Sequence, residues 1–239
     1  MSDEELAAWL VGVLTVEPVE RDFFRGPATP QGKGRSFGGQ VIGQALMAAT
    51  CTVPQDRPVH SLHGYFIRPG DATAPVLYQV ERDRDGGSFT TRRVVAIQNG
   101  AVILNLAASF QEREAGLSHQ DQMPNVPGPE EIETEEVMAE RMADRLPEGY
   151  LKWLRTPRPV DFRTCEPRPP LDRNPRAAEQ PGYVRRLASE VHRPAVAASC
   201  VHYDGWRLSG AMLQKIRVYG RLAKFLGRRV FRADVANAA

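Results

Sequence analysis

The chain has 239 residues, 42% of them hydrophobic, and its 31 Lys and Arg against 29 Asp and Glu leave a net charge of only +2. A chain of this size can bury one large core or two of ordinary size, and no stretch approaches the roughly 18 uninterrupted apolar residues of a membrane span. Cys51, Cys165 and Cys200 are odd in number, widely spaced and without a C-x-x-C pair, which points to packing thiols rather than disulfides or a zinc site, and Asp3, Glu4 and Glu5 stand where a secretory signal would be basic, so a cytoplasmic protein is expected.

Taken in order, residues 3–14 read as a short helix with Leu6, Trp9, Leu10 and Val13 on one side. A turn-rich stretch around Pro27, Pro30, Gly32 and Gly34 leads into Phe37-Gly38-Gly39-Gln40-Val41-Ile42-Gly43-Gln44-Ala45-Leu46. There Gly38 and Gly39 are expected to adopt positive φ and let a ligand approach the backbone. Val41, Ile42, Ala45, Leu46 and Ala49 recur at the helical period, so the run joins a soft turn to an amphipathic helix. The N-terminus of that helix would aim unpaired N–H groups and a partial positive charge at a carbonyl or phosphate.

After His60 the period changes. Residues 62–67, 76–82, 88–98 and 101–111 are rich in β-branched and aromatic side chains, and they are broken by Arg68-Pro69-Gly70-Asp71, Asp85-Gly86-Gly87 and Asn99-Gly100. They predict at least four antiparallel strands, with Asn99-Gly100 as a two-residue hairpin turn. A helix with one apolar stripe followed by a sheet with one apolar face buries both most simply when the sheet curls around the helix. The expected fold is therefore α+β and hotdog-like over residues 1–115. An open sheet of this kind leaves an edge that a second copy could cover, so a homo-oligomer is expected.

Residues 116–180 are acidic and then dense in proline, and they read as a connector, with a short helix over 146–154. From Tyr183 onward eleven Lys or Arg face three Asp or Glu, whereas 20 face 26 before it. Leu208, Met212, Tyr219, Leu222, Leu226 and Val230 fall on one helical stripe opposite Arg217, Arg221, Lys224 and Arg228. Residues 181–239 therefore read as a partial second half or a basic helical tail.

The run from Phe37 to Leu46 is followed by His60-Ser61-Leu62-His63-Gly64-Tyr65-Phe66-Ile67-Arg68-Pro69-Gly70-Asp71, then by Asp85-Gly86-Gly87-Ser88-Phe89 and Arg92-Arg93-Val94. Gln98-Asn99-Gly100, Ala108-Ser109-Phe110-Gln111, Met123-Pro124 and Arg158-Pro159-Val160-Asp161-Phe162-Arg163 complete the series. In this order the motifs resemble the type II acyl-CoA thioesterases. The resemblance implies a double hotdog and hydrolysis of acyl-CoA to a free fatty acid and CoA by direct water attack, without a cofactor, a metal or a nucleic-acid partner. It implies that Asp204, in His202-Tyr203-Asp204-Gly205-Trp206, holds the catalytic water. Gly38, Gly39, Gln40, His60, His63 and Arg92 are the candidate substrate-binding residues; Arg92 and Arg93 point to opposite faces of one strand, so at most one of them pairs with a CoA phosphate, the other reading being a surface ion pair.

The family's catalytic Thr or Ser and Gln have no counterpart in the second half, where no Thr follows Thr164. The second half is thus reduced or altered, and the alternative is a non-catalytic member that binds acyl-CoA or a partner protein. Chemically, an Asp acceptor would orient water while helix N–H groups hold the oxyanion. The absence of G-x-S-x-G, H-E-x-x-H and P-loop motifs agrees with a route that needs no protein nucleophile.

Overall fold

The computed structural model describes residues 2–29, 32–116, 125–165 and 182–186. They belong to two compact units, treated separately below, with residues 8–116 forming the core of one and residues 125–165 with 182–186 lying in the other. Asp204 and the basic stretch 207–231 lie outside the described residues.

The first unit carries α1 (Asp3–Leu14, whose first turns are grouped apart), β1 (Glu17–Glu20), β2 (Phe23–Gly26), α2 (Gly38–Thr50), β3 (Val59–Phe66), β4 (Val76–Asp85), β5 (Phe89–Gln98) and β6 (Ala101–Gln111). All six strands join one antiparallel sheet in the order β1-β2-β4-β5-β6-β3, so β3 precedes β4 in the chain yet forms the far edge beside β6. The hairpin between β5 and β6 turns on Asn99 and Gly100, with φ of 50° and 74°, the left-handed pair that a two-residue turn needs to match strand twist. The four expected strands are present, and β1 and β2, lying before the proline- and glycine-rich stretch, add two more.

The sheet curls around α2. Val41, Ala45, Leu46, Ala48 and Ala49 of the helix share one core with Val76, Tyr78 and Val80 of β4, Val94 and Ala96 of β5, and Leu104, Leu106, Ala108 and Phe110 of β6. These strand residues share a parity, as one face of a pleated sheet must. Leu46, Leu104, Leu106 and Phe110 are essentially inaccessible, and each such side chain stabilises the fold by about 1.5–3 kcal/mol. Leu10 and Leu14 of α1 form a smaller cluster with Trp9 and Met47. This is the α+β hotdog arrangement.

Two expectations change here. Gly38 and Gly39 are the first two residues of α2 and do not have positive φ; that conformation falls instead on Gly34 and Gly100. Cys51 is the residue that ends α2, and it is exposed rather than packed.

The second unit contains α3 (Glu135–Arg141), α4 (Glu148–Leu154), β7 (Val160–Thr164) and β8 (Gly182–Arg186), the last two paired antiparallel. Thr134 caps α3 by accepting the Val137 N–H at 3.3 Å. Met138, Ala139, Met142, Leu146, Leu151 and Leu154 bury one another, so the segment read as a coreless connector has a small core of its own. Arg158 lies over the Trp153 ring at 4.3 Å and pairs with Glu135. No helix among the described residues is long and apolar enough to cross a membrane.

Candidate functional site

At the N-terminus of α2, Gly38 is half-buried and Gly39 is buried. Phe37 precedes the helix in extended conformation (φ −71°, ψ 123°) and no side chain caps it. The N–H groups of Gln40 and Val41 turn back to the Phe37 carbonyl at 3.1 and 3.3 Å, while those of Gly38 and Gly39 meet no acceptor among the described residues.

The approach to this end is held by a frame of backbone bonds. Ser36 N–H donates to Gly70 O at 2.8 Å, Ala72 N–H to Gly34 O at 2.9 Å, and Arg35 bridges Asp71 in antiparallel fashion. Gln98, at the end of β5, fixes that loop by accepting the Asp71 N–H at 2.7 Å and donating to the carbonyls of Asp71 and Ala74 at 2.9 Å. The N–H and the hydroxyl of Thr73 both donate to the Asp71 carboxylate and hold its pKa below the ordinary value.

Gln40 follows the two glycines, but its side chain turns inward. Its amide donates to Pro27 O at 3.2 Å and its oxygen accepts from Thr29 Oγ1 at 2.7 Å. One turn later the fully buried Gln44 donates to Val13 O at 2.6 Å and Pro27 O at 3.0 Å, and it accepts the Tyr78 hydroxyl at 2.7 Å. Burial pushes the pKa of that hydroxyl up. The network needs Gly26, where an added Cβ would stand 2.4 Å from Gln44 Oε1. The sequence reading passed over Gln44; its only signal was a second amide four residues after Gln40 on an otherwise apolar helix.

Arg92 is the clearest correction. Far from reaching a ligand phosphate, its side chain is fully buried and every guanidinium N–H has an acceptor within the protein. Nε donates to Thr52 Oγ1 at 2.8 Å, one terminal nitrogen to the Arg84 and Thr91 carbonyls at 3.0 and 2.9 Å, and the other to Thr52 O at 3.0 Å and Asp85 Oδ1 at 2.6 Å. Parity explains it: Arg92 points the same way as Thr90, Val94 and Ala96, into the unit.

His60 and His63 stand elsewhere. In the β3–β6 ladder Leu62 and Gly64 oppose the core residues Ala108 and Leu106, while Ser61, His63 and Tyr65 oppose Ser109, Ala107 and Asn105 on the outer face of the sheet. His60 shares a 2.8 Å hydrogen bond with Ser109 Oγ and meets the Phe89 ring edge-on at 5.8 Å. His63 is exposed and stacks edge-on with Tyr65 at 4.6 Å. The structure thus brings Gly38 and Gly39 together at one helix end, uses Gln40 and Arg92 internally, and puts both histidines on the face away from the helix. Asp204, the candidate for holding water, lies outside the described residues.

Comparison with known proteins agrees with this fold. Residues 24–111 match the family described as the acyl-CoA thioesterase N-terminal domain. Acyl-CoA thioesterase 2 of Haemophilus influenzae is 40% identical over 171 residues, which cover 72% of this chain and 60% of that protein. Human acyl-coenzyme A thioesterase 8 is 51% identical over 121 residues, covering 50% of this chain and 38% of that protein. The chain therefore spans less than two thirds of these curated relatives. Among solved structures, acyl-CoA thioesterase II TesB2 from Mycobacterium marinum superposes with a TM-score of 0.60 at 36% identity, covering 82% of this chain and 68% of that one.

Proposed function

Because the chain belongs to the acyl-CoA thioesterase family, we propose that it hydrolyses acyl-CoA thioesters to a free fatty acid and CoA. The observation that carries this reading is the uncapped start of α2, where two glycine amides without acceptors among the described residues lie at the positive end of a helix packed against the sheet.

In the proposed reaction those amides receive the thioester carbonyl oxygen as it gains negative charge. Water attacks the carbonyl carbon, Asp204 accepts its proton, the C–S bond breaks, and the CoA thiolate leaves and is protonated. Each step uses groups the chain supplies, and no covalent enzyme intermediate forms. The small residues at the turn also serve approach, since neither Gly38 nor Gly39 carries a side chain that would shield its N–H from a ligand.

The same proposal includes a division into an N-terminal hotdog half (1–115), a proline-rich connector (116–180) and a partial second half or basic helical tail (181–239), in a cytoplasmic setting. It also includes a homo-oligomer, supported by the edge position of β3 among the described residues and by Tyr65 and Phe66 at its end and Ile67 after it, which are 64%, 51% and 45% exposed. A molar mass by light scattering tests the assembly, and a monomer at micromolar concentration removes it.

The activity is tested by thiol release from palmitoyl-CoA. Gly38 is the first helical residue, where proline's missing N–H and fixed φ are tolerated, and Phe37 already has the extended backbone preferred before proline. Gly38→Pro is expected to leave Tm unchanged while kcat falls about 100-fold, the loss typical of one oxyanion donor. An unchanged kcat takes the Gly38 amide out of the reaction. Equal rates for wild type and Asp204→Asn remove Asp204, and no hydrolysis by either points to a non-catalytic acyl-CoA binder.

A further inference from the structure

Resting on that reading, we infer that Arg92 and Thr52 are positioning residues, which together fix α2 along its own axis and thereby fix where the Gly38 and Gly39 amides stand. A helix normally resists sliding because large side chains interlock with its neighbours. Five of the nine buried residues of α2 are Gly39, Gly43, Ala45, Ala48 and Ala49, which offer few knobs to catch, so Val41 and Leu46 are its main apolar ones. The register of such a smooth rod depends on directional bonds.

Those bonds sit at two levels. Midway, Gln40 and Gln44 tie the helix to Pro27, Val13 and Tyr78. At the C-terminal end the tie runs through Thr52, whose hydroxyl donates to Ala49 O in the last turn at 2.8 Å and accepts Arg92 Nε at 2.8 Å, while its carbonyl accepts a second Arg92 N–H at 3.0 Å. Arg92 belongs to β5 and is anchored by three further acceptors, so the helix end is fixed to the sheet by a planar fork that tolerates little displacement. Its charge also suits the negative end of the helix dipole. An α-helix is stiff along its axis, so an offset imposed at Thr52 appears about 20 Å away at Gly38, given 1.5 Å per residue.

The test uses the full chain and two readouts. Thr52→Val deletes the hydroxyl while keeping the side-chain shape, Thr52→Ser restores it, and Val16→Ala weakens the same core (Val16 is 7% exposed) at a residue outside α2 and its terminal hydrogen bonds. For Thr52→Val, kcat is expected to fall about 10- to 100-fold, as sub-ångström to 1 Å misplacement does. KM should stay within about threefold, because the loss belongs to the transition state. The backbone amide resonances of Gly38 and Gly39 should move. Thr52→Ser should recover both properties, and Val16→Ala should change neither. Gly38 and Gly39 resonances that stay in place in Thr52→Val, or move as much in Val16→Ala, overturn the inference. Arg92→Lys, read in the same way, replaces Thr52→Val if that variant fails to fold. Should the wild-type chain hydrolyse no acyl-CoA, the proposed activity falls, while the amide resonances still decide whether the clamp sets the helix position.

Discussion

The two ends of α2 are treated in opposite ways. At the N-terminus the amides of Gly38 and Gly39 have no acceptor among the described residues, whereas at the C-terminus Thr52 is bonded through its hydroxyl and carbonyl and Arg92 donates five hydrogen bonds. Unpaired donors are tolerable only where a ligand or water can reach them, and they are useful only if their position is fixed. The closed end supplies the rigidity that makes the uncapped end usable.

Substitutions along the helix probe this contrast, starting with the closed end. Arg92→Met strands the Thr52 oxygens and two carbonyls in the interior, and it should lower unfolding free energy by about 3 kcal/mol, read from urea denaturation. A loss below about 1 kcal/mol would mean that water replaces the guanidinium and that this end is not closed. Next, Gly26→Ala places a Cβ 2.4 Å from Gln44 Oε1 and 2.8 Å from the Tyr78 ring, so overpacking at mid-helix should cost about 2 kcal/mol. Tyr78→Phe removes only the donor to Gln44 Oε1 and should cost about 1 kcal/mol, measured as a shift in the denaturation midpoint at constant m.

The smallest effect concerns the ion pair near the closed end, where Asp22 and Arg82 line the same surface depression as Cys51 and Thr52. Hydrogen bonds from Arg82 hold the Asp22 carboxyl below its ordinary pKa. A depressed carboxylate contributes stability above its unfolded pKa, near pH 4, and that contribution disappears as pH falls through the folded value. Asn also accepts the left-handed backbone at this position (φ 63°), so Asp22→Asn should cost less than about 1 kcal/mol at pH 7. The difference from wild type should vanish in acid; a gap that persists at low pH would assign the effect to shape rather than charge.

Much of the fold could be read from the chain because local chemistry and global packing agree. Asn99-Gly100 marks a hairpin that the structure reproduces to the residue, and the runs read as strands in 76–111 are strands. Strands β1 and β2 escaped because each has four residues, and Glu-Pro-Val-Glu is exposed throughout, leaving no period to detect. The helical pair α3 and α4 was partly visible, but its core is assembled from Met138, Met142, Leu146, Leu151 and Leu154, which are spread across two seven-residue helices.

The site was less legible. Gly38 and Gly39 begin α2 as the pattern predicts, but with helical rather than left-handed backbone. Arg92 looked like a ligand contact because arginine is rarely buried, although its parity with Thr90 and Val94 already pointed inward. The histidines illustrate the converse, where residues of suggestive chemistry beside a motif belong to the opposite face of the sheet.

The placement of β3 beside β6 bears on how the chain is born. A ribosome releases residues 59–66 well before residues 101–111, and among the described residues β3 pairs with β6 alone. At synthesis rates of about 5–20 residues per second the nascent β3, with Tyr65, Phe66 and Ile67 uncovered, waits several seconds for its neighbour. The β4–β6 meander can form locally as it emerges, so docking of the earlier strand is the late event, and the short aromatic segment stays unpaired until then.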